Sequence, residues 1–240
     1  VNVAVIIVAA GAGHRLGRDV PKAFVPLAGR PLLRHALDGA LACAEVGHVV
    51  VVAPVTHLTQ ARGLVAAEET PYVDIVAGGA ERTDSVARGL ALLRPDDGLV
   101  LVHDAARCGA PPELFDRVVA ALRGGHGAVV PGLPVVDTIK QVDADGYVVA
   151  TPERATLRAI QTPQGFVREV LLHAHERAHG WAQERTTDGA SESAGGVAVT
   201  DDAGLVEACG GRVQVVPGDP RAAKITTPDD LAAAERALAG

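Results

Sequence analysis

The stretch Val5–Lys22, VIIVAAGAGHRLGRDVPK, decides how the rest of the chain is read. Four apolar residues run directly into a loop of glycine and alanine, with Arg15 and Lys22 behind it. A strand apolar on both faces suits a buried parallel sheet, whose ligands collect at the carboxyl ends of the strands. Small residues let a polyphosphate approach main-chain N–H groups closely. Arg15 and Lys22 offer fixed positive charge to a phosphoryl group. Spacing sets two familiar loops aside. Gly11, Gly13 and Gly17 form G-x-G-x-x-x-G, one residue too long for a dinucleotide fingerprint, and the second strand ends VVVVAP with no acid for a ribose. A P-loop needs a lysine–hydroxyl pair after its glycines, and none follows here. Taken alone, the stretch also reads as a tight glycine turn with two surface cations.

Outward from this loop, short Val/Ile/Leu runs alternate with amphipathic Ala/Leu segments. Strands are expected at Val3–Val8, Val49–Ala53, Val73–Val76, Leu99–Val102, Ala128–Val130 and Val213–Val216. Helices are expected at Pro31–Ala44, Thr56–Glu68, Arg82–Leu93, Pro111–Arg123, Val167–Ala178 and Pro228–Ala239. Thr227-Pro228-Asp229-Asp230 supplies the last helix with an N-cap, a first-turn proline and two acids. The alternation predicts an α/β fold with a mostly parallel sheet covered on both sides, in a single domain spanning 1–240. Two stretches interrupt it. Asp145-Gly146 is a hairpin signal, so Val135–Ala155 is expected to leave the sheet as an antiparallel β-arm. Trp181–Val199 is polar and rich in Gly and Ser, and a mobile surface loop is expected there.

Composition narrows the function. The chain has 240 residues, 48% hydrophobic and 21% charged, so its core needs no staples. Aromatics are only 2% and the net charge is −7, which argues against base stacking and against wrapping nucleic acid. Any phosphate site must be a local basic pocket. Cys43, Cys108 and Cys209 are far apart with no metal spacing, as expected of reduced thiols in a cytoplasmic protein. No apolar run approaches the roughly 20 residues that span a bilayer, and no signal segment is expected before the first strand.

Three further clusters stand at expected strand ends. LVLVHDAAR puts His103 and Asp104 at the end of the fourth strand, with Arg107 three residues on. An acid there can hold a metal or a substrate hydroxyl, or simply cap a turn. GGAERTDSV gives Gly78-Gly79 after the third strand, suited to the edge of a flat base, then Arg82 and Ser85 entering a helix. Lys224 lies in the loop before the last helix. His175 and His179 are four apart on one helix, but with no cysteine or catalytic glutamate nearby they read as a solvated face. Asp201-Asp202 stand before a helix and read as capping and first-turn charge.

In order along the chain, AAGAGHRLG…PK, GGAERTDSV, VHDAAR, VVDTIK, TPQGF, TDDAGLVE and KITTPDDL resemble the 2-C-methyl-D-erythritol 4-phosphate cytidylyltransferase family of the non-mevalonate isoprenoid pathway. The resemblance covers essentially the whole chain. It implies a Rossmann-like nucleotidyltransferase fold and a homodimer held by the β-arm. It also implies transfer of CMP from CTP to the polyol phosphate, with Mg²⁺ held mainly by the CTP phosphates. By position, it implies that Ala9, Ala10, Gly11 and Gly13 line the CTP loop and that Arg15 and Lys22 contact the triphosphate. Gly79 and Ser85 would hold cytosine and ribose. Asp104, Arg107, Thr138 and Lys224 would surround the polyol phosphate and the reacting phosphorus, with Thr162 nearby. Arg154, on the arm, would reach into the partner subunit's site. The chain departs from the family pattern at Val8, Cys108 and Gly204, and in the length of 181–199. Two other functions fit the same scaffold: cytidylyl transfer to another polyol phosphate such as ribitol 5-phosphate, and nucleotide binding without catalysis.

Overall fold

A computed structural model describes residues 1–11, 16, 20–188 and 200–239. Gly13 and Arg15 lie outside the described residues, as does 189–199 of the expected loop. The chain begins with β1 (Asn2–Val8), followed by a small hairpin, β2 (Pro26–Leu27) and β3 (Arg30–Pro31). Then come α1 (Leu32–Leu41), β4 (Val46–Ala53), α2 (Leu58–Gly63), β5 (Val73–Ala77), α3 (Arg82–Leu90), β6 (Asp97–Asp104), α4 (Pro112–Arg123) and β7 (Ala128–Pro134). A second hairpin, β8 (Gln141–Val142) and β9 (Val148–Ala150), precedes β10 (Arg158–Ile160) and β11 (Gln164–Val167). The last elements are α5 (Arg168–Asp188), α6 (Asp202–Ala208), β12 (Gln214–Pro217) and α7 (Pro228–Ala239).

The main sheet runs β5-β4-β1-β6-β11-β7, with β10 and β12 also paired to β7. β1 is parallel to β4 and β6, β4 to β5, and β12 to β7, while β10 and β11 run antiparallel. Alternation along each strand splits the core. Val3, Val5 and Ile7 face one layer with α1 and α4, and Ala4 and Ile6 face the other with α3, α5 and α6. Both layers are mostly aliphatic, with Phe24 and Phe115 in the first and Phe166 in the second, and a buried side chain such as Ile6 contributes about 2–3 kcal/mol. Among the described residues, no helix is long and apolar enough to cross a membrane.

All six expected strands and all six expected helices are present, with shifted ends. The helix expected at Thr56–Glu68 is shorter: it begins as a 3₁₀ turn at Val55–His57 and ends at Gly63. The loop expected at Trp181–Val199 is corrected over its first eight residues, because α5 continues to Asp188. Ala, Gln, Glu and Arg in WAQERTTD are adequate helix formers, and Gly180 alone does not stop them. The expected hairpin is present, with Gly146 at φ 86° in its turn and every residue of β8 and β9 exposed.

Candidate active site

Register brings the functional loops to one edge. Val8 pairs with both Asp104 and Val52, and Val52 with Val76, so β1, β4, β5 and β6 end side by side. Ala9, Ala10 and Gly11 leave β1 there, and Gly78-Gly79 leave β5. The diglycine is required by closeness: a Cβ on Gly78 would lie 2.3 Å from that of Ala10, and one on Gly79 2.2 Å from that of Asp84. Between these loops is a cleft of ≈ 280 Å³. Its walls include Ala9, Ala10, Gly11, Lys22, Gly79, Arg82, Ser85, Asp104 and Lys224.

Each cation is set by local structure. Pro21 (φ −55°) starts a 3₁₀ turn, Lys22–Phe24, which Phe24 anchors by burial while half-buried Lys22 faces the cleft. Lys224 is held through its backbone neighbourhood. Ile225 N–H donates to the Ala106 carbonyl at 2.9 Å, and Arg107 donates to the Ala222 carbonyl at 2.9 Å. Lys224 Nζ then reaches Asp104 Oδ2 at 2.7 Å. Arg82, in the first turn of α3, stands 3.5 Å from Asp104 Oδ1 and 2.6 Å from Asp202 Oδ2. Burial pushes the Asp104 carboxyl upward, but Arg82 and Lys224 outweigh it and bring its pKa to about 2. Asp104 is therefore ionised throughout the working pH range. Next to it, buried His103 is held down to about 4 by burial, against the opposing charge of Asp104, and is neutral.

The sequence-predicted residues fall into three groups. Lys22, Lys224, Ala9, Ala10, Gly11, Gly79, Ser85 and Asp104 converge on the cleft. The Ser85 hydroxyl accepts from Gly79 N–H and donates to the Glu81 carbonyl, each at 3.1 Å, so it also braces the diglycine turn. Arg107 and Thr162 stand behind the wall. Arg107 donates from its two terminal nitrogens to the Ala222 and Ile160 carbonyls. The Thr162 hydroxyl accepts from Asp104 N–H and contacts His103 Nδ1, each at 3.0 Å. Thr138 and Arg154 are exposed at the arm, where Arg154 donates to the Val136 carbonyl at 2.7 Å.

Two features differ from the sequence reading. His175 is buried rather than solvated, 3% exposed, with Nε2 3.0 Å from Asp202 Oδ1; only His179 of that pair is exposed. Asp201 caps α6 through Gly204 N–H at 2.9 Å as expected, but Asp202 turns inward. Arg82 was not singled out as a site residue. Its signal was its place in the first turn after the diglycine, on the edge where the other loops meet. Among the described residues, no group of three or more His, Cys, Asp or Glu could hold a metal ion.

The sheet, glycine loop and cation-lined cleft define the class, an α/β nucleotidyltransferase, and solved structures of this class superpose over the full chain. The 4-diphosphocytidyl-2C-methyl-D-erythritol synthase of Anaerococcus prevotii has a TM-score of 0.81 at 30% identity, covering 100% of this chain and 99% of its own. The 2-C-methyl-D-erythritol 4-phosphate cytidylyltransferase of Thermus thermophilus has a TM-score of 0.74 at 34% identity, covering 100% of both chains. A similarly named relative from Nocardia farcinica is 50% identical over 99% of this chain and 94% of its own. The family model described as 2-C-methyl-D-erythritol 4-phosphate cytidylyltransferase matches residues 3–239. The chain belongs to that family.

Proposed function

We propose that the cleft transfers the cytidylyl group of CTP to 2-C-methyl-D-erythritol 4-phosphate, releasing pyrophosphate, in isoprenoid precursor synthesis. The observation that carries this reading is the convergence of Lys22, Lys224 and Arg82 with Asp104 over the β1 loop, in a chain of this family. A phosphate oxygen of the polyol attacks the α-phosphorus of CTP. One P–O bond forms as the bond to the β-phosphate oxygen breaks. The attacking phosphate is already ionised, so no strong general base is required.

Catalysis is then positioning and charge neutralisation. Before substrate binds, Lys224 is paired with Asp104 at a partly exposed site, where such a pair contributes only about 0–1 kcal/mol. A triphosphate outbids that pairing easily, and Lys224 turns to the transferring group. Lys22 faces the same charge from the opposite loop, and Arg15 is given its role at the triphosphate by the family resemblance alone. Ala9, Ala10, Gly11 and the diglycine leave room for the nucleotide against main-chain atoms. Mg²⁺ would be held mainly by the CTP phosphates, beside Asp104 and Glu81, the carboxylate residues among those described that line the cleft. When bound, it neutralises phosphate charge.

We read the β8–β9 hairpin as the dimer arm of a single domain, with Arg154 serving the partner's cleft and Thr138 assigned to the polyol phosphate. Its exposed Val142, Tyr147, Val148 and Val149 support that role. The three free cysteines suit a cytoplasmic setting. The test is pyrophosphate release with each of the four NTPs against methylerythritol phosphate and ribitol 5-phosphate. Turnover confined to CTP plus methylerythritol phosphate is expected. CTP binding without turnover on any polyol phosphate overturns the reading.

A further inference from the structure

The charges of the cleft continue inward beyond the residues given a role above. Asp104 offers one oxygen to Lys224 at 2.7 Å and the other to Arg82 at 3.5 Å. A second terminal nitrogen of Arg82 donates to Asp202 at 2.6 Å. The remaining Asp202 oxygen accepts from His175 Nε2 at 3.0 Å. The path leads from the partly exposed Lys224 (44%) through Asp104 (13%) and Arg82 (28%) to the buried Asp202 (1%) and His175 (4%). Charge alternates from the cleft to the interior, through the loop before α7, the end of β6, and the first turns of α3 and α6, and ends in an imidazole on α5.

Asp202 has a clear physical reason to hold Arg82. A buried carboxylate is costly unless charge and hydrogen bonds meet it, and both of its oxygens are met here. Burial raises its pKa, but the His175 hydrogen bond and Arg82 outweigh that and hold it ionised. Arg82 in turn faces two carboxylates with one planar fork, a task a lysine point charge cannot share in the same geometry. Released from Asp202, the fork would close on Asp104 as a bidentate pair and compete with Lys224. Held by Asp202, it stands off at 3.5 Å and leaves the shorter contact to Lys224.

We propose that Arg82, anchored by the buried Asp202–His175 pair, is a positioning residue that shares Asp104 with Lys224 and so aims the Lys224 ammonium at the transferring phosphoryl group. This rests on the cytidylyltransferase reading. The test is a kinetic double-mutant cycle on pyrophosphate release from CTP and methylerythritol phosphate, with thermal unfolding of every variant. Asp202→Asn is expected to lower kcat about 10-fold while the KM for CTP moves less than about 3-fold. In a Lys224→Ala background the same substitution should change kcat less than about 2-fold, because it acts through that ammonium. His175→Gln, which keeps a donor toward Asp202, should retain most of the wild-type kcat, and His175→Leu should not. Equal losses of kcat in both backgrounds overturn the proposal, since a merely structural role predicts them. If Asp202→Asn does not fold, the same cycle run with Arg82→Lys and His175→Leu decides by the same criterion. A wild-type protein that turns over no CTP is a separate result, which removes the cytidylyltransferase reading and this proposal with it.

Discussion

Strand β6 carries a carboxylate at each end, and the fold uses them in opposite ways. Asp97, at the amino end, is sealed. It is 1% exposed and accepts from His48 Nδ1 at 2.6 Å and from Arg94 N–H at 2.7 Å, while His48 Nε2 reaches Asp74 at 3.0 Å. Asp104, at the carboxyl end, meets, among the described residues, the long side chains of Lys224 and Arg82 from other segments, and both line an open cleft. The first arrangement closes its partners in and contributes stability. The second leaves its partners able to change allegiance when an anion arrives. Sealed and open clusters on one strand thus divide structural from functional electrostatics.

The largest effect is expected at the open end. Lys224→Ala should lower kcat by about 10²–10³, the scale seen when a charge-stabilising donor is lost, and Lys22→Ala should do likewise. The unfolding midpoint should hardly move, because a partly exposed pair contributes only about 0–1 kcal/mol. Pyrophosphate release and thermal melts on the same samples measure both. Near-normal kcat in the two variants would erase the functional half of the contrast.

His103 sharpens the contrast next, since it neighbours Asp104 but belongs to the sealed kind. It is fully buried, and burial lowers its pKa from 6.5 to about 4 against the opposing Asp104 charge. The unfolded chain therefore takes up the proton first. Stability from this residue is full above about pH 6.5 and is lost as pH falls toward 4, a change on the order of 3 kcal/mol. Denaturant unfolding at several pH values should show that slope in the wild type and a flatter one in His103→Gln. Identical slopes would mean that His103 is not buried neutral.

At the sealed end, Asp97→Ala should cost roughly 1–3 kcal/mol of unfolding free energy by stranding the His48 and Arg94 donors. Turnover measured well below the melting point should stay near wild type. A loss of kcat comparable to that of Lys224→Ala would show that the two ends are coupled and that the division drawn here is wrong.

How much of this was legible in the sequence follows from which signals are local. Continuous apolar runs gave the parallel strands, because burial on both faces leaves an unambiguous trace. Thr227 and Asp230 announced the start of α7, and they do bond reciprocally, at 2.7 and 3.2 Å. β10 and β11 were not read: RAI and QGFV are too short for a period, and their pairing with β7 and β6 is a tertiary outcome. The inward turn of Asp202 was invisible for a related reason. Asp201 and Asp202 are alike as letters, and only the packing of α5 against α6 decides which one caps the helix and which one meets Arg82. The resemblance assigns Arg107 to the polyol phosphate, and no local signal announces its partners in the fold. Its guanidinium is engaged with the Ala222 and Ile160 carbonyls, which lie far from it in sequence.

The smallest effect is expected furthest from the sheet. Arg154 sits on the exposed arm, with one nitrogen on the Val136 carbonyl, and it does not line this chain's own cleft. If the arm serves a partner's cleft, Arg154→Ala removes a charge-assisted contact to the polyol phosphate while the local Lys22, Lys224 and Asp104 stay in place. The expected result is a KM for methylerythritol phosphate about 3- to 10-fold higher, with kcat and the KM for CTP within about 2-fold. Mass measurement in solution must accompany the kinetics, because the effect depends on a second copy. An active monomer with an unchanged KM for the polyol phosphate would separate the arm from the chemistry and leave the open end of β6 complete within one chain.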